Sequence, residues 1–341
     1  MKVLLDVSHP KDINVFTNVM NLLKERGHEV KLVARAKENT IKIINESGFT
    51  AEYGPHYSGM IYKILGIPFI DYWLFKIAKT FKPDIFVSFG SPYSAHVSRI
   101  FQKPHIAFID TEIANFAINL MLPFTDTVYT SDSFTLDLGK KQKKFNSYLE
   151  LAYLGPSYFS PDNSVLEKYA LKEKNYILIR LSALSSHHDM NARGFSFNSE
   201  DELKLYVEEI AKYGNVIIFS EKDEWEIVSK HSLVIDSGDF HHILFHSKMC
   251  IGEGATMVSE AAMLGVPSIY VSNTRRGYLD DLENKYDLCY TFSNKDEALN
   301  KAVSIMSDED HQIEWQEKRQ HMLSEKTDLV RYIVNEIESN W

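Results

Sequence analysis

Residues 250–271 read CIGEGATMVSEAAMLGVPSIYV. Cys250 and Ile251 begin as a buried strand does, and Gly252 and Gly254 break it. The run ATMVSEAAML has the small-residue density of a packed helix, and Gly265 and Pro267 end it before a second apolar run, PSIYV. Strand, glycine turn, helix, strand is the repeating unit of a parallel sheet, because parallel neighbours need a crossover that a helix supplies. A helix start presents unpaired N–H groups and the positive end of the macrodipole, which attract phosphate. Gly252 and Gly254 would let that backbone approach an anion, with Glu253 between them and Ala255 and Thr256 as the first helical donors. The same spacing also serves an ordinary tight turn. It is no Walker loop, since no GK[ST] follows, and a dinucleotide fingerprint is incomplete because its third glycine position is Met257. Glu260, one turn beyond Thr256, suits either a ribose-holding carboxylate or a plain helical glutamate.

The alternation extends in both directions. MKVLLDVSHP is a strand and loop, and NVFTNVMNLLKERG a helix with Val15, Val19, Leu22 and Leu23 at helical spacing. HEVKLVAR, KPDIFVSFG, PHIAFID and DTVYTSD follow as strands, with TIKIINESGF and SAHVSRIF as helices. AYLGPSYFSPDN, residues 152–163, holds two prolines and a glycine and marks a domain boundary and hinge. Beyond it NYILIRLS, NVIIFS, SLVID, MCIGEG and PSIYVS are expected as strands, and SEDELKLYVEEIAKYG, FHHILFHSK and ATMVSEAAMLG as helices. The C-terminal 45 residues are expected to be helical, with a solvated charged face. Ligands bind at the carboxyl ends of such strands, so two α/β halves are expected to share a cleft there.

A chain of 341 residues with 44% hydrophobic and 25% charged residues supplies two domain cores. No run approaches about 18 uncharged apolar residues, and the N-terminus turns polar early, so neither a spanning helix nor a signal peptide is expected and a cytoplasmic location is. Cys250 and Cys289 are too few for a disulfide framework and stand in no C-x-x-C. The net charge of −10 argues against nucleic acid as a partner. Residues 1–155 carry 18 Lys and Arg against 15 Asp and Glu, a balance of +3, while the rest carries −13. The first half can therefore still meet an anionic phase.

GEGATMVSEAAMLGVPSIYV resembles the nucleotide-sugar loop of GT-B glycosyltransferases and of the non-hydrolysing UDP-N-acetylglucosamine 2-epimerases. DVSHP, RGHEVKLVAR, RLSALSSHHDMNARGFS, HHILFHSKMCIGEGATMVSEAAMLGVPSI and GYLDDLENKYDL, in that order over most of the chain, resemble the DUF354 family, a GT-B-like group. The resemblance implies an α/β GT-B fold of two Rossmann-like parallel-sheet domains facing across a cleft. Residues 1–155 would form the acceptor domain, 156–325 the nucleotide-sugar domain, and 326–341 a helix returning to the first domain. It implies diphosphate contacts from Gly252, Gly254, Ala255 and Thr256, and a ribose contact from Glu260. The function implied is inverting, metal-independent transfer of a sugar from a UDP-sugar donor, with no further cofactor, to a glycan or lipid-linked acceptor. An epimerase or hydrolase on the same fold, and a non-catalytic nucleotide-sugar-binding protein, remain the alternatives.

In such transferases the base stands in the loop after the first strand, where this chain has SHPKDIN. Asp12 is the candidate base and His9 an orienting or phosphate-contacting group. Related sequences carry a second His where this one has Asp12. Arg180, at a strand end, is a candidate diphosphate partner, and Ser182, His187, His188 and Asp189 add polar groups, with Arg193 beyond. Ser91, Tyr93, Ser94 and His96, in VSFGSPYSAHVS, are acceptor-side candidates, although an ordinary strand–helix turn has the same form. His242 and His246 have i,i+4 spacing without a third ligand fixed by spacing, so no metal is expected. Residues 58–81 suit a pair of core helices or, being basic and aromatic, a peripheral membrane contact for a lipid-linked acceptor.

Overall fold

Val3, Leu4, Leu5 and Val7 of the first strand, β1 (Lys2–Val7), have no solvent exposure, as a strand covered on both faces requires. The computed structural model describes residues 1–57, 59–110, 112, 115–182, 194–221 and 225–340. From β1 the chain continues through α1 (Pro10–Glu25), β2 (Glu29–Arg35), α2 (Glu38–Glu46), β3 (Ala51–Gly54) and α3 (Met60–Phe81). Next come β4 (Ile85–Phe89), α4 (Pro92–Phe101), β5 (His105–Ile109), α5 (Asn115–Met121), β6 (Thr127–Ser131), β7 (Gln142–Phe145) and α6 (Leu151–Leu154).

All seven strands are parallel, in the order β3-β2-β1-β4-β5-β6-β7. The order reverses between β1 and β4, so the loops after these two strands leave in opposite directions and open a crevice at the carboxyl edge. Leu4, Val33 and Phe86 of the sheet pack against Leu74, Ala78 and Phe81 of α3 and Val97 of α4.

The second unit runs α7 (Ser164–Lys168), β8 (Tyr176–Leu181), α8 (Glu200–Ala211), β9 (Asn215–Ser220), α9 (Glu226–His231), α10 (Phe240–His246) and β10 (Met249–Gly252). It ends with α11 (Ala255–Met263), β11 (Ser268–Val271), α12 (Gly277–Tyr286), β12 (Cys289–Phe292), α13 (Lys295–Met306) and α14 (His311–Glu325). Its parallel sheet has the order β12-β11-β10-β8-β9, with the reversal between β8 and β10. The final helix, α15 (Leu329–Ser339), packs on α1, where Glu338 meets Arg26 at 2.6 Å and His28 at 2.8 Å. The chain thus divides into Met1–Tyr158 with Thr327–Trp341, and Phe159–Lys326.

Two expectations need correction. SLVID, residues 232–236, has strand composition but pairs with no strand of the second sheet. Residues 58–81 supply one 22-residue helix, α3, instead of a helix pair, with Pro68 accommodated inside it. The short strands β3, β7 and β12 were not anticipated; QKKF in β7 is polar because it forms a sheet edge, where charge discourages further pairing.

Candidate functional site

In the second unit, β10 is flanked by β8 and β11, and Gly252 stands in register with Arg180 and Tyr270. The glycine loop therefore lies at the strand-order reversal, beside the loop that leaves β8. Glu253 ties the two together: its Oε2 accepts the Ser182 N–H at 2.6 Å and its Oε1 the Phe195 N–H at 2.8 Å. Burial raises the Glu253 pKa, and the two N–H donors act against that rise. The Glu253 N–H is itself held by the Arg180 carbonyl at 3.0 Å. Gly254 is the N-cap of α11, and the N–H groups of Gly254, Ala255 and Thr256 have no backbone partner among the described residues. These three residues are half-buried, so the helix start is neither sealed nor fully hydrated.

Glu260, buried on the same helix, meets Nε2 of His241 on α10 at 3.1 Å. The loop after β11 carries Arg276, the N-cap of α12, which is 8% exposed. Its Nη1 donates to Thr274 Oγ1 at 3.1 Å and to the Arg275 carbonyl at 3.0 Å. Arg276 forms no ion pair among the described residues, although buried guanidinium groups are normally paired. A cavity of about 560 Å³ adjoins this region, lined by Gly194, Phe195, Ser196, Asn273, Ser293, Asn294 and Lys295. That volume falls within the usual range for small-ligand sites.

In the first unit, Asp12 lies in the first turn of α1, at the β1/β4 reversal. Its Oδ2 accepts the N–H groups of Ser8 at 2.9 Å and His9 at 2.8 Å, which caps the helix. Burial pushes its pKa from 3.8 up to about 7 against the pull of those two donors; nearby Asp110 adds to the rise and Lys11 opposes it. Lys11 bridges Asp110 at 2.7 Å and Glu150 at 3.1 Å. Beneath the loops, Asp6 is fully buried and bonds Arg35 at 3.1 Å and the Ser91 hydroxyl at 2.6 Å. The Arg35 guanidinium lies over the rings of Tyr93 and Trp73.

A family model described as protein of unknown function, DUF354, matches residues 1–340. The chain belongs to DUF354. An uncharacterized protein of Methanocaldococcus jannaschii is 21% identical over 283 residues, 79% of this chain and 81% of that protein. The UDP-GlcNAc 2-epimerase from Neisseria meningitidis, solved bound to UDP-GlcNAc, matches with a TM-score of 0.70 at 12% identity over 100% of both chains. Spinosyn forosaminyltransferase matches with a TM-score of 0.65 at 13% identity, covering 99% of this chain and 98% of its own. This DUF354 chain accordingly has the GT-B fold.

Several candidates prove to be engaged within the DUF354 chain. Arg180 pairs with Glu221, and Glu253 braces the loop with its carboxylate. Ser91 caps α4 and donates to Asp6, while Ser94 is fully buried. Tyr93 is half-buried under Arg35, and His96 bonds Asp71 at 3.0 Å. His187, His188, Asp189 and Arg193 lie outside the described residues. No three His, Cys, Asp or Glu side chains converge as metal ligands among the described residues. His242 accepts the Asp162 N–H at 3.1 Å, and His246 meets Glu173 at 3.1 Å.

Sequence reasoning missed His241 and Arg276. The one available signal was the tandem arginine in NTRRGYLDD, just before a helix. Gly252, by contrast, is required by packing alone: a Cβ there would lie 2.6 Å from Arg180 Cβ and 3.1 Å from its carbonyl oxygen, both held by strand β8. Gly252→Ala is therefore expected to lower stability by about 1–3 kcal/mol in thermal unfolding. Gly254→Ala, whose Cβ would meet Arg180 Cγ at 3.3 Å and Met257 Cβ at 4.0 Å, is expected to cost less.

Proposed function

We propose that this protein is a glycosyltransferase that binds a UDP-sugar on its second unit and uses Asp12 of the first as general base. The observation that carries the reading is the half-buried start of α11 at a strand-order reversal, with Glu260 on the same helix and Arg276 in the neighbouring loop. The N–H groups of Gly254, Ala255 and Thr256 would receive the diphosphate, and Arg276 would supply a cation already desolvated. Together they offset the charge on the leaving diphosphate without a metal. Glu260 would accept the ribose hydroxyls, with His241 holding one carboxylate oxygen in place.

In the reaction, the acceptor O–H gives its proton to Asp12 as its oxygen bonds to the anomeric carbon. The bond from that carbon to the diphosphate oxygen breaks, and its electron pair leaves with UDP. Attack opposite the leaving group inverts the configuration. A carboxyl group with a pKa of about 7 accepts a proton efficiently near neutral pH. The acceptor would be a glycan or a lipid-linked sugar met on the cytoplasmic side.

Calorimetric titration of UDP, GDP, CMP and UMP tests the donor site. Selective UDP binding is expected, weakened about tenfold or more by Glu260→Ala. If none of the four binds, the glycine loop is a turn and the transferase reading fails. Conversion of UDP-N-acetylglucosamine to its epimer without acceptor would replace transfer by epimerisation.

A further inference from the structure

The helix α3 is apolar on two faces. Ile70, Leu74, Ala78 and Phe81 enter the core of the first unit. Ile61, Tyr62, Leu65, Phe69 and Tyr72 are each between 62% and 70% exposed. At 100° per residue these five share one face over three turns, a stripe about 18 Å long. Phe124, also exposed, packs edge-on against His96, which bonds Asp71 of α3. A helix packed only for its own domain would carry polar residues on that outer face.

Lys63 stands in the first turn of the helix, and the other lysines gather toward its C-terminal end. Lys76 and Lys79 continue the exposed face, and exposed Lys82 ends the helix. These three lysines form no ion pair among the described residues. The acid within the helix, Asp71, is turned away into its bond with His96 at 3.0 Å. An apolar stripe flanked by Tyr62 and Tyr72, with Lys76 over the Tyr72 ring at 5.0 Å and no ion pair on these lysines among the described residues, is complementary to a surface of hydrocarbon and phosphate. A second copy of the same face would offer those lysines no acidic partner. None of the described helices is long and apolar enough to cross a membrane, so contact would be in the plane of the interface.

We infer that the outer face of α3 docks this protein onto an anionic lipid surface. Ile61, Leu65 and Phe69 enter the interface, while Lys76, Lys79 and Lys82 lie among the headgroup phosphates. The inference stands apart from the nucleotide-sugar reading, since it uses none of the same residues.

The test is flotation of the full chain with phosphatidylcholine vesicles made with and without phosphatidylglycerol. Binding to the vesicles containing phosphatidylglycerol is expected, and it should fall as salt is raised. Phe69→Glu and Leu65→Glu should each lower the partition coefficient about tenfold or more, with thermal unfolding unchanged because both positions are exposed. Lys76→Glu with Lys79→Glu should weaken binding only where phosphatidylglycerol is present. Failure of the wild-type protein to float, or equal flotation of Phe69→Glu, overturns the inference. So does a dimer in sedimentation that Phe69→Glu dissociates, because the face would then belong to a second copy.

Discussion

Asp12→Asn is expected to lower UDP release from a turned-over UDP-sugar by about 10²–10⁴-fold, the range for loss of a general base. UDP affinity should be unchanged, because the proposed donor contacts all lie in the second unit. The pH dependence carries the sharper test. With a carboxyl pKa of about 7, wild-type kcat/KM should climb with pH up to about 7 and level off above it. That limb should vanish in Asp12→Asn. Stability moves the opposite way: an unfolded Asp titrates near 3.9, whereas the folded protein keeps the proton to about 7. Between those values the native state binds more protons, so stability falls as pH rises across that window and is constant above it. The ceiling on this loss is on the order of 4 kcal/mol. Asn keeps the side-chain oxygen that accepts the Ser8 and His9 N–H groups and carries no charge. The variant should therefore unfold at a higher temperature than wild type at pH 8, with little difference at pH 4. A flat wild-type pH profile, or a variant that is less stable at pH 8, would mean that Asp12 serves only as a helix cap.

Arg276→Gln is expected to weaken UDP about 10- to 150-fold, the equivalent of about 1.5–3 kcal/mol for a charge-assisted hydrogen bond. Uridine, which lacks phosphate, should bind both proteins alike, so comparing the two ligands by calorimetry isolates the diphosphate contact. Arg276→Lys should recover part of the loss, since it keeps the charge but not the planar fork. Removing one partner of a buried ion pair typically costs 3–5 kcal/mol. Arg276 has no such partner among the described residues, so Arg276→Gln should unfold close to the wild-type temperature. Undiminished UDP binding by Arg276→Gln would leave Arg276 as the brace that Thr274 and the Arg275 carbonyl already make of it.

The alternation of strands and helices was legible because each element carries its own periodicity. The 250–271 stretch was legible for the same reason: a strand, a glycine turn and a helix are specified by residues a few positions apart. SLVID was misjudged because strand composition says nothing about whether an edge is free to receive it. The outer face of α3 was visible as composition, but whether its aromatic residues turned inward or outward was not. That was decided by Leu4, Val33 and Phe86, which take up one side of the helix and leave the other bare.

The candidate sites divide along the same line. The positions of Asp12, Glu260 and the glycine loop in their elements follow from sequence alone. The neighbours that decide what those residues can do come from distant parts of the chain. Burial in the surrounding core, with a smaller push from Asp110, raises the Asp12 pKa, His241 reaches Glu260 from another helix, and Glu253 spends its carboxylate on Ser182 and Phe195. Sequence determined the two parallel α/β sheets and the loop poised at a helix start, since backbone preference and hydrophobic period are local. Tertiary structure decided which carboxylate would hold a proton near neutrality, which buried arginine would form no ion pair among the described residues and which helix face would stay uncovered. Desolvation and pairing depend on everything that folding packs around a group.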